Sequence, residues 1–292
     1  MSKKIVVLGG AGFLGSYICA DLSKRGYQVI VGDINNSNHT QQFEFVSIDI
    51  MDVQSLENII TKDVFAVFNL AGYANLDKAI HEPFQTFNLN VMGNLNILNT
   101  CIKNNIQHYV YASSAYAMND KGSFYGISKL TSEKVIKEFH KRYGLTYTIL
   151  RYGSVYSERA YENNYIYNLV KTAIKSGAIE HLGDGEEIRE YIHAADAAKL
   201  SVDMLEKEEY KNEIFILTGV QSMKRKEVFE MINEIAGGKV NIQLTKEGYE
   251  HHYKTTPYTF QPESSKRLVA NPFIDMGQGI LECMKAIENS NE

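Results

Sequence analysis

Tyr125-Gly126-Ile127-Ser128-Lys129 sets a phenol and an ammonium four residues apart, a spacing that puts both on one face of a helix. A phenol accepts a proton near neutral pH only if its pKa of about 10 is lowered, and a nearby cation lowers it by favouring the phenolate. Ser113 and Ser114 lie upstream, and a hydroxyl beside the phenol can steady a substrate alcohol as it becomes a carbonyl. Alone, Tyr-x-x-x-Lys is usually an ordinary solvated helix face. A second group changes the reading: Gly9, Gly12 and Gly15 in Gly-Gly-Ala-Gly-Phe-Leu-Gly match the turn that admits a dinucleotide pyrophosphate. Together the two groups point to oxidation of an alcohol, with proton removal at oxygen and hydride removal at carbon.

These groups need elements to hold them. Ile5 to Leu8 is an apolar run that ends on Gly9, and Leu14, Ile18 and Leu22 recur at helical spacing after it. The glycines, with Phe13 and Leu14, thus sit where a strand turns into a helix and unpaired N–H groups favour an anion. Asp33 ends the second strand, which begins at Gln28 to Val31; a carboxylate there accepts ribose hydroxyls and repels a 2′-phosphate, selecting NAD over NADP. Asp49 and Ile50 follow the third run, Phe43 to Ile48, in position to meet the adenine, although the Asp49 to Asp52 turn is an equally good helix N-cap.

Val64 to Leu70, His108 to Ser113 and Thr146 to Leu150 are further near-continuous apolar runs, and Val91, Leu95, Leu98 and Ile102 mark a helix between two of them. Strands covered on both faces, alternating with helices, predict an α/β fold with a Rossmann-type doubly wound parallel sheet. After Leu150 the texture turns rich in Tyr, Asn and Gly, then a helix from His193 to Lys207 and a strand at Phe215 to Leu217 resume the earlier pattern. Residues 1–150, with 193–220 returning to them, are expected to form an NAD-binding domain. Residues 151–192 and 221–292 form a smaller substrate-binding lobe, in one compact unit with a cleft.

Composition bounds the partners. The chain has 292 residues and a net charge of −5, which argues against a broad grip on nucleic acid. Cys19, Cys101 and Cys283 make no Cys-x-x-Cys pair, so neither a disulfide framework nor a thiolate metal site is expected, and a reducing compartment fits. The apolar run before Gly9 is too short for a signal peptide or a membrane span, so the expectation is a cytoplasmic protein without membrane contact.

The chain resembles an extended short-chain dehydrogenase/reductase of the NAD-dependent sugar-nucleotide epimerase/dehydratase family. Besides the motifs above, the likeness rests on Asn69-Leu70-Ala71-Gly72, Asn90-Val91-Met92-Gly93-Asn94, Arg151-Tyr152-Gly153-Ser154-Val155-Tyr156, Gly183-Asp184-Gly185, Arg189-Glu190-Tyr191-Ile192-His193 and Asp196. It implies that Ser114, Tyr125 and Lys129 are the catalytic triad and that Lys129 also holds the nicotinamide ribose. It implies further that Leu70, Ala71, Gly72 and Tyr152 join the NAD site. Ser154 and Arg189 then face a nucleotide-diphosphate sugar, Arg189 meeting the diphosphate with its planar fork of donors. The rival reading of Arg189 is a surface ion pair with Glu186 or Glu190, while His193 and Asp196 read as helix caps. A homodimer is expected through the helix from Val91 and the helix from Tyr125 to Lys141.

Departures from the family pattern bear on the reaction. Ala115 and Tyr116 stand where sugar 4,6-dehydratases need an acid and a base, which disfavours dehydration. Only ten residues separate Ser114 from Tyr125, and Met118 replaces a Tyr of the epimerases. This trimmed segment predicts an open pocket and net oxidation at C4, as in a GDP-heptose or related 4-dehydrogenase of a capsule pathway. A 4-epimerase is the alternative, and an NAD-binding regulatory protein without catalysis a third reading. Near the C-terminus, where the family often supplies a second diphosphate Arg, Lys254 or the pair His251 and His252 stands instead, with no spacing that suggests a metal. Tyr161, Tyr165 and Tyr167 are of a type that stacks on a base or sugar, but with Tyr so abundant here packing is the preferred reading.

Overall fold

The computed structural model describes residues 2–118, 122–160, 164–245, 254 and 266–290. The first half alternates as predicted: β1 (Lys4–Leu8), α1 (Phe13–Lys24), β2 (Gln28–Asp33), β3 (Glu44–Ser47), α2 (Val53–Ile59) and β4 (Val64–Asn69). Two short helices, α3 (Leu76–Ala79) and α4 (Pro83–Phe87), lead through a π-helical turn at Asn88–Met92 into α5 (Gly93–Lys103). Then come β5 (His108–Ser114), a 3₁₀ turn at Ala115–Met118, α6 (Ser123–Tyr143), β6 (Tyr147–Tyr152) and β7 (Ser154–Tyr156). The second half holds α7 (Tyr165–Ser176), β8 (Ala178–Leu182), β9 (Ile188–His193), α8 (Ala194–Asp203), β10 (Glu213–Leu217), β11 (Ser222–Lys224) and α9 (Arg225–Ile235). It closes with β12 (Asn241–Thr245), β13 (Lys266–Leu268) and α10 (Met276–Asn289).

Eight of these strands form one parallel sheet in the order β13-β10-β6-β5-β4-β1-β2-β3, the doubly wound arrangement whose ligands lie beyond the carboxyl ends of the strands. Alternation along β1 explains why it is apolar throughout. Ile5 and Val7 enter the core under α1 and α8, while Val6 and Leu8 enter the core under α5 and α6. Each such side chain contributes about 1.5–3 kcal/mol by leaving water. A third core gathers Val170, Phe229, Ile232, Ile280 and Cys283 from α7, α9 and α10. The small sheets β11-β9-β7 and β12-β8 contribute to it through Tyr156 and Ile179. Lys266–Leu268, from the segment assigned by sequence to the substrate lobe, pairs with β10 and so returns the chain to the large sheet.

Two features pin α6 to this scaffold. The π-helical turn before α5 carries Asn90, whose side chain donates to the Tyr73 carbonyl (3.0 Å) and Ser128 Oγ (2.9 Å), and whose carbonyl accepts from Ser132 Oγ (2.7 Å). On the sheet side, Arg151 of β6 donates twice to Glu133 of α6, at 2.9 and 2.7 Å, and Ser113 Oγ of β5 donates to the same carboxylate at 2.6 Å. Both charged partners are buried. No helix among the described residues is long and apolar enough to cross a membrane.

Removing one member of a buried pair strands the other charge. Glu133→Ala should therefore lower unfolding free energy by about 3–5 kcal/mol in urea titration. Loss of under about 1 kcal/mol, the value of an exposed pair, would show that the contact does not tie α6 to the sheet.

Candidate active site

The glycine turn, Asp33 and the ends of β3 and β4 converge on a cleft of about 260 Å³ lined by Gly9, Gly12, Asp33, Asp49, Ile50 and the run Leu70 to Gly72, with Gly32, Ile34, Ile48 and Leu89 completing it. Its floor requires bare backbone. Gly9 has φ +75° and a Cβ there would lie 2.7 Å from the Ala71 nitrogen; a Cβ on buried Gly15 would lie 2.2 Å from the Gly9 carbonyl oxygen. Asp33 is oriented from both sides, accepting from the Ala11 N–H at 3.1 Å and the Ile34 N–H at 2.8 Å. Burial raises its carboxyl above the usual aspartate range, and these backbone donors oppose that shift.

Asp49 lines the cleft and also accepts the Met51 N–H at 2.9 Å, while the N-cap of α2 is Asp52. Ile50 packs over Gly93, where a Cβ would approach to 2.6 Å. Phe13 and Leu14 turn their side chains into the core. What they offer the cleft is therefore backbone at the start of α1.

Ser113 and Ser114 end β5 facing opposite ways, as strand alternation demands. Ser113 goes to the Glu133 carboxylate, and Ser114 lines a second cavity of about 220 Å³ with Tyr116, Tyr152, Ser154, Tyr165 and Arg189 among its walls. The Ser114 hydroxyl hydrogen-bonds to Tyr125, which stabilises the phenolate, but burial is the larger influence and the phenol is raised. Lys129 stands one helical turn on, its Nζ 5.9 Å from the Tyr125 ring centre and donating to the Ala112 carbonyl at 2.8 Å. Burial pushes its ammonium down to about 8, against the opposing charge of Glu133. The expectation that Lys129 lowers the Tyr125 phenol is corrected here: Ser114 opposes the burial effect, and the cation is itself weakened by the same dry surroundings.

Tyr152 places its hydroxyl on Ser201 Oγ at 2.7 Å, so only its ring edge and backbone remain for a ligand. Arg189 is 3% exposed and donates to the Ile188 carbonyl at 2.7 Å. The surface-pair reading does not hold for it. Glu186 binds Lys224 and Lys226, and Glu190 binds Arg267. Lys254 is brought beside β9 by its carbonyl, which accepts the Ile188 N–H at 2.8 Å, yet its side chain is exposed and outside the described lining of the cavity. Tyr167 is a core residue, but Tyr165, read from sequence as packing, is part of the cavity wall. Tyr161, His251 and His252 lie outside the described residues.

His193 caps α8, its Nδ1 accepting the Ala195 N–H at 3.2 Å, and its Nε2 faces Glu158 at 3.6 Å and Glu282 at 3.5 Å. The cap fixes the neutral ring as the Nε2–H tautomer, so it presents a proton and not a lone pair to the carboxylates. A metal ion at Nε2 would require giving up the cap. Asp196 accepts the Ile274 N–H at 2.7 Å and so holds the segment before α10, where sequence suggested a cap.

The Lys129 shift has a direct consequence for stability. Between about pH 8 and 10.5 the unfolded chain binds a proton that the folded chain does not, so this group's contribution rises with pH across that window. Below it the buried charge costs on the order of 3 kcal/mol. In cofactor-stripped protein, the stability of Lys129→Met relative to wild type should fall as pH rises from 8 to 10. A pH-independent difference would contradict the burial of a charged amine at this position.

Residues 5–217 match the model of the NAD dependent epimerase/dehydratase family. A putative UDP-glucose 4-epimerase of Methanocaldococcus jannaschii is 30% identical, covering 98% of this chain and 99% of its own. A UDP-glucose 4-epimerase of Lactobacillus helveticus is 26% identical over 80% of this chain and 82% of its own. Among solved structures, the UDP-glucose 4-epimerase of Thermotoga maritima with UDP-glucose superposes with a TM-score of 0.85 at 24% identity, covering 99% of this chain and 100% of its own. The UDP-glucuronic acid 4-epimerase of Bacillus cereus, in complex with UDP-glucuronic acid and NAD, gives 0.85 at 21% identity, covering 98% of this chain and 99% of its own. The glycine floor, the fixed Asp33 and the full-length match agree: the chain belongs to the NAD dependent epimerase/dehydratase family, and its cofactor is NAD.

Proposed function

We propose that this protein is a 4-epimerase of a UDP-linked sugar. The observation that carries the reading is a single cavity lined both by Ser114, whose side chain favours the Tyr125 phenolate, and by the buried Arg189. A sugar C4 hydroxyl at the serine and tyrosine leaves the diphosphate for the arginine. The relatives that match along most of their length support epimerisation over net oxidation. They also give no support to the GDP-heptose and capsule expectation, and UDP replaces it in this reading.

The short connection after Ser114 does not argue for an open pocket. Tyr116 stands in the cavity wall, and its backbone is packed so closely on α6 that a Cβ at Gly126 would lie 2.6 Å from the Tyr116 carbonyl oxygen. Ala115 and Tyr116 make a close wall here. Ala115 and Tyr116 still lack the acid and base that dehydration needs.

NAD, which the glycine turn, Asp33 and Lys129 would hold, would supply the acceptor and donor for the hydride at C4 of the sugar. Tyr125 takes the proton of the C4 hydroxyl as that hydrogen leaves, while the Ser114 hydroxyl steadies the oxygen as it becomes a carbonyl. Once the keto sugar presents its other face, Tyr125 returns the proton to the same oxygen, so the reaction is an isomerisation without net redox change. Lys129 spends one of its three donors on the Ala112 carbonyl and keeps the others for the ribose next to the reacting ring. Arg189 holds the diphosphate while the sugar turns. Asp33 accepts the adenosine ribose hydroxyls. We further propose a homodimer through α5 and α6, whose approaches leave Met92 and Ile127 exposed.

Purified protein should bring UDP-glucose, UDP-glucuronate or UDP-N-acetylglucosamine to a mixture of its two C4 epimers without accumulating NADH. Tyr125→Phe should reduce turnover by about 10²–10⁴-fold while keeping NAD. A keto product with stoichiometric NADH would replace epimerisation by dehydrogenation, and turnover unchanged in Tyr125→Phe would remove the phenol from the mechanism.

A further inference from the structure

The cavity with Ser114 and Arg189 contains a second buried arginine that the mechanism above does not use. Arg225 opens α9, is 8% exposed and lines the same cavity as Arg189. Its guanidinium carbon lies 4.4 Å from the centre of the Tyr165 ring, and its Nε has no hydrogen-bond partner among the described residues. The acidic side chains around it are engaged elsewhere. Glu187 faces His181 at 3.2 Å, Glu186 holds Lys224 and Lys226, and Glu227 accepts the Lys224 N–H at 2.7 Å.

The backbone shows why both arginines face one way. β11 runs antiparallel to β9 with Met223 opposite Arg189 and Lys224 opposite Ile188. The Arg225 N–H then donates to the Glu187 carbonyl at 3.0 Å, which carries the register one residue further. Arg225 is thus opposite Glu187 and diagonal to Arg189, and residues two apart on a strand share a face. Burial raises the Tyr165 phenol, and both Arg225 and Arg189 pull against that shift, as two cations grouped around one ring would. Two guanidiniums buried in one small cavity repel each other and have lost water. An anion of two charges between them offsets both costs.

We propose that Arg225 is a second cation for the substrate diphosphate, acting with Arg189 in the role that sequence reading had sought at Lys254. This rests on the UDP-sugar reading. Arg225 is a binding residue, held on the main chain of β9 and distant in sequence from the motifs that mark the site.

NAD-loaded protein titrated with UDP, UMP and uridine tests it. Arg225→Gln should weaken UDP by about tenfold or more, a loss in the range of a charge-assisted hydrogen bond, and UMP by less, with uridine unchanged. Arg225→Lys keeps a charge without the fork and should weaken UDP by a smaller factor; it carries the test if Arg225→Gln fails to retain NAD. Equal losses for UDP and uridine would make Arg225 a structural residue, and an unchanged UDP affinity would also overturn the proposal. A loss seen only with UDP-glucuronate, and not with UDP or UDP-glucose, would assign Arg225 to a sugar carboxylate instead. Wild-type protein that binds NAD but neither UDP nor a UDP-sugar would instead overturn the function on which the inference rests.

Discussion

Glu133 and Arg151 are taken out of water together, and the position of α6 follows from how their charges are satisfied. Desolvating two ions costs several kcal/mol each, which only close geometry offsets. Here the guanidinium supplies two donors and Ser113 a third, so the carboxylate is bound from β5 and β6 at once. Lys129 lies one helical turn before Glu133 and Tyr125 one turn before that. This ion pair, together with the bonds of Asn90 to Ser128 and Ser132, therefore sets the height of the ammonium and the phenol against the end of β5, where Ser114 waits. Glu133 also supports the Lys129 charge through space, offsetting part of what burial takes from it.

The rest of the molecule divides the ligand by charge. An acidic chain of net −5 gives a diphosphate no general attraction, so recognition has to be local and cationic. In the proposed reading, the glycine turn offers backbone N–H groups to the cofactor pyrophosphate, and Arg189 of β9 and Arg225 of α9 offer guanidiniums to the substrate diphosphate. His193, Tyr17 and Glu158 lie at the junction of the lobes: the Tyr17 hydroxyl from α1 donates to Glu158 at 2.5 Å, and the His193 ring faces that carboxylate from the end of β9. The helix that opens beside the cofactor cleft is in this way tied to the elements that line the substrate cavity.

Much of this was legible in the residues because local chemistry dictates it. Gly9 and Gly15 cannot be replaced without backbone collision, and a run such as Ile5 to Leu8 has no reading except a strand covered on both faces. Tyr125 and Lys129 advertise themselves by helical spacing. What sequence did not show depends on register and burial. Ser113 and Ser114 look alike until strand alternation sends one to an ion pair and the other to the cavity. Arg225 sits in Met-Lys-Arg-Lys, a stretch that reads as a solvated face, and only the pairing of β11 with β9 turns it inward. The trimmed segment after Ser114 misled for a related reason: its length was visible, but the contact of Tyr116 with Gly126 that makes it a wall was not.

Return of the same hydrogen to C4 is the step that separates epimerisation from every other reaction this site could support. Incubating the enzyme with a UDP-sugar deuterated at C4, in ordinary water, measures it directly. The account predicts deuterium retained at C4 in both epimers at equilibrium, with no free ketone. Epimers that have lost the label to solvent, or a labelled NADH that accumulates with a keto sugar, would contradict it.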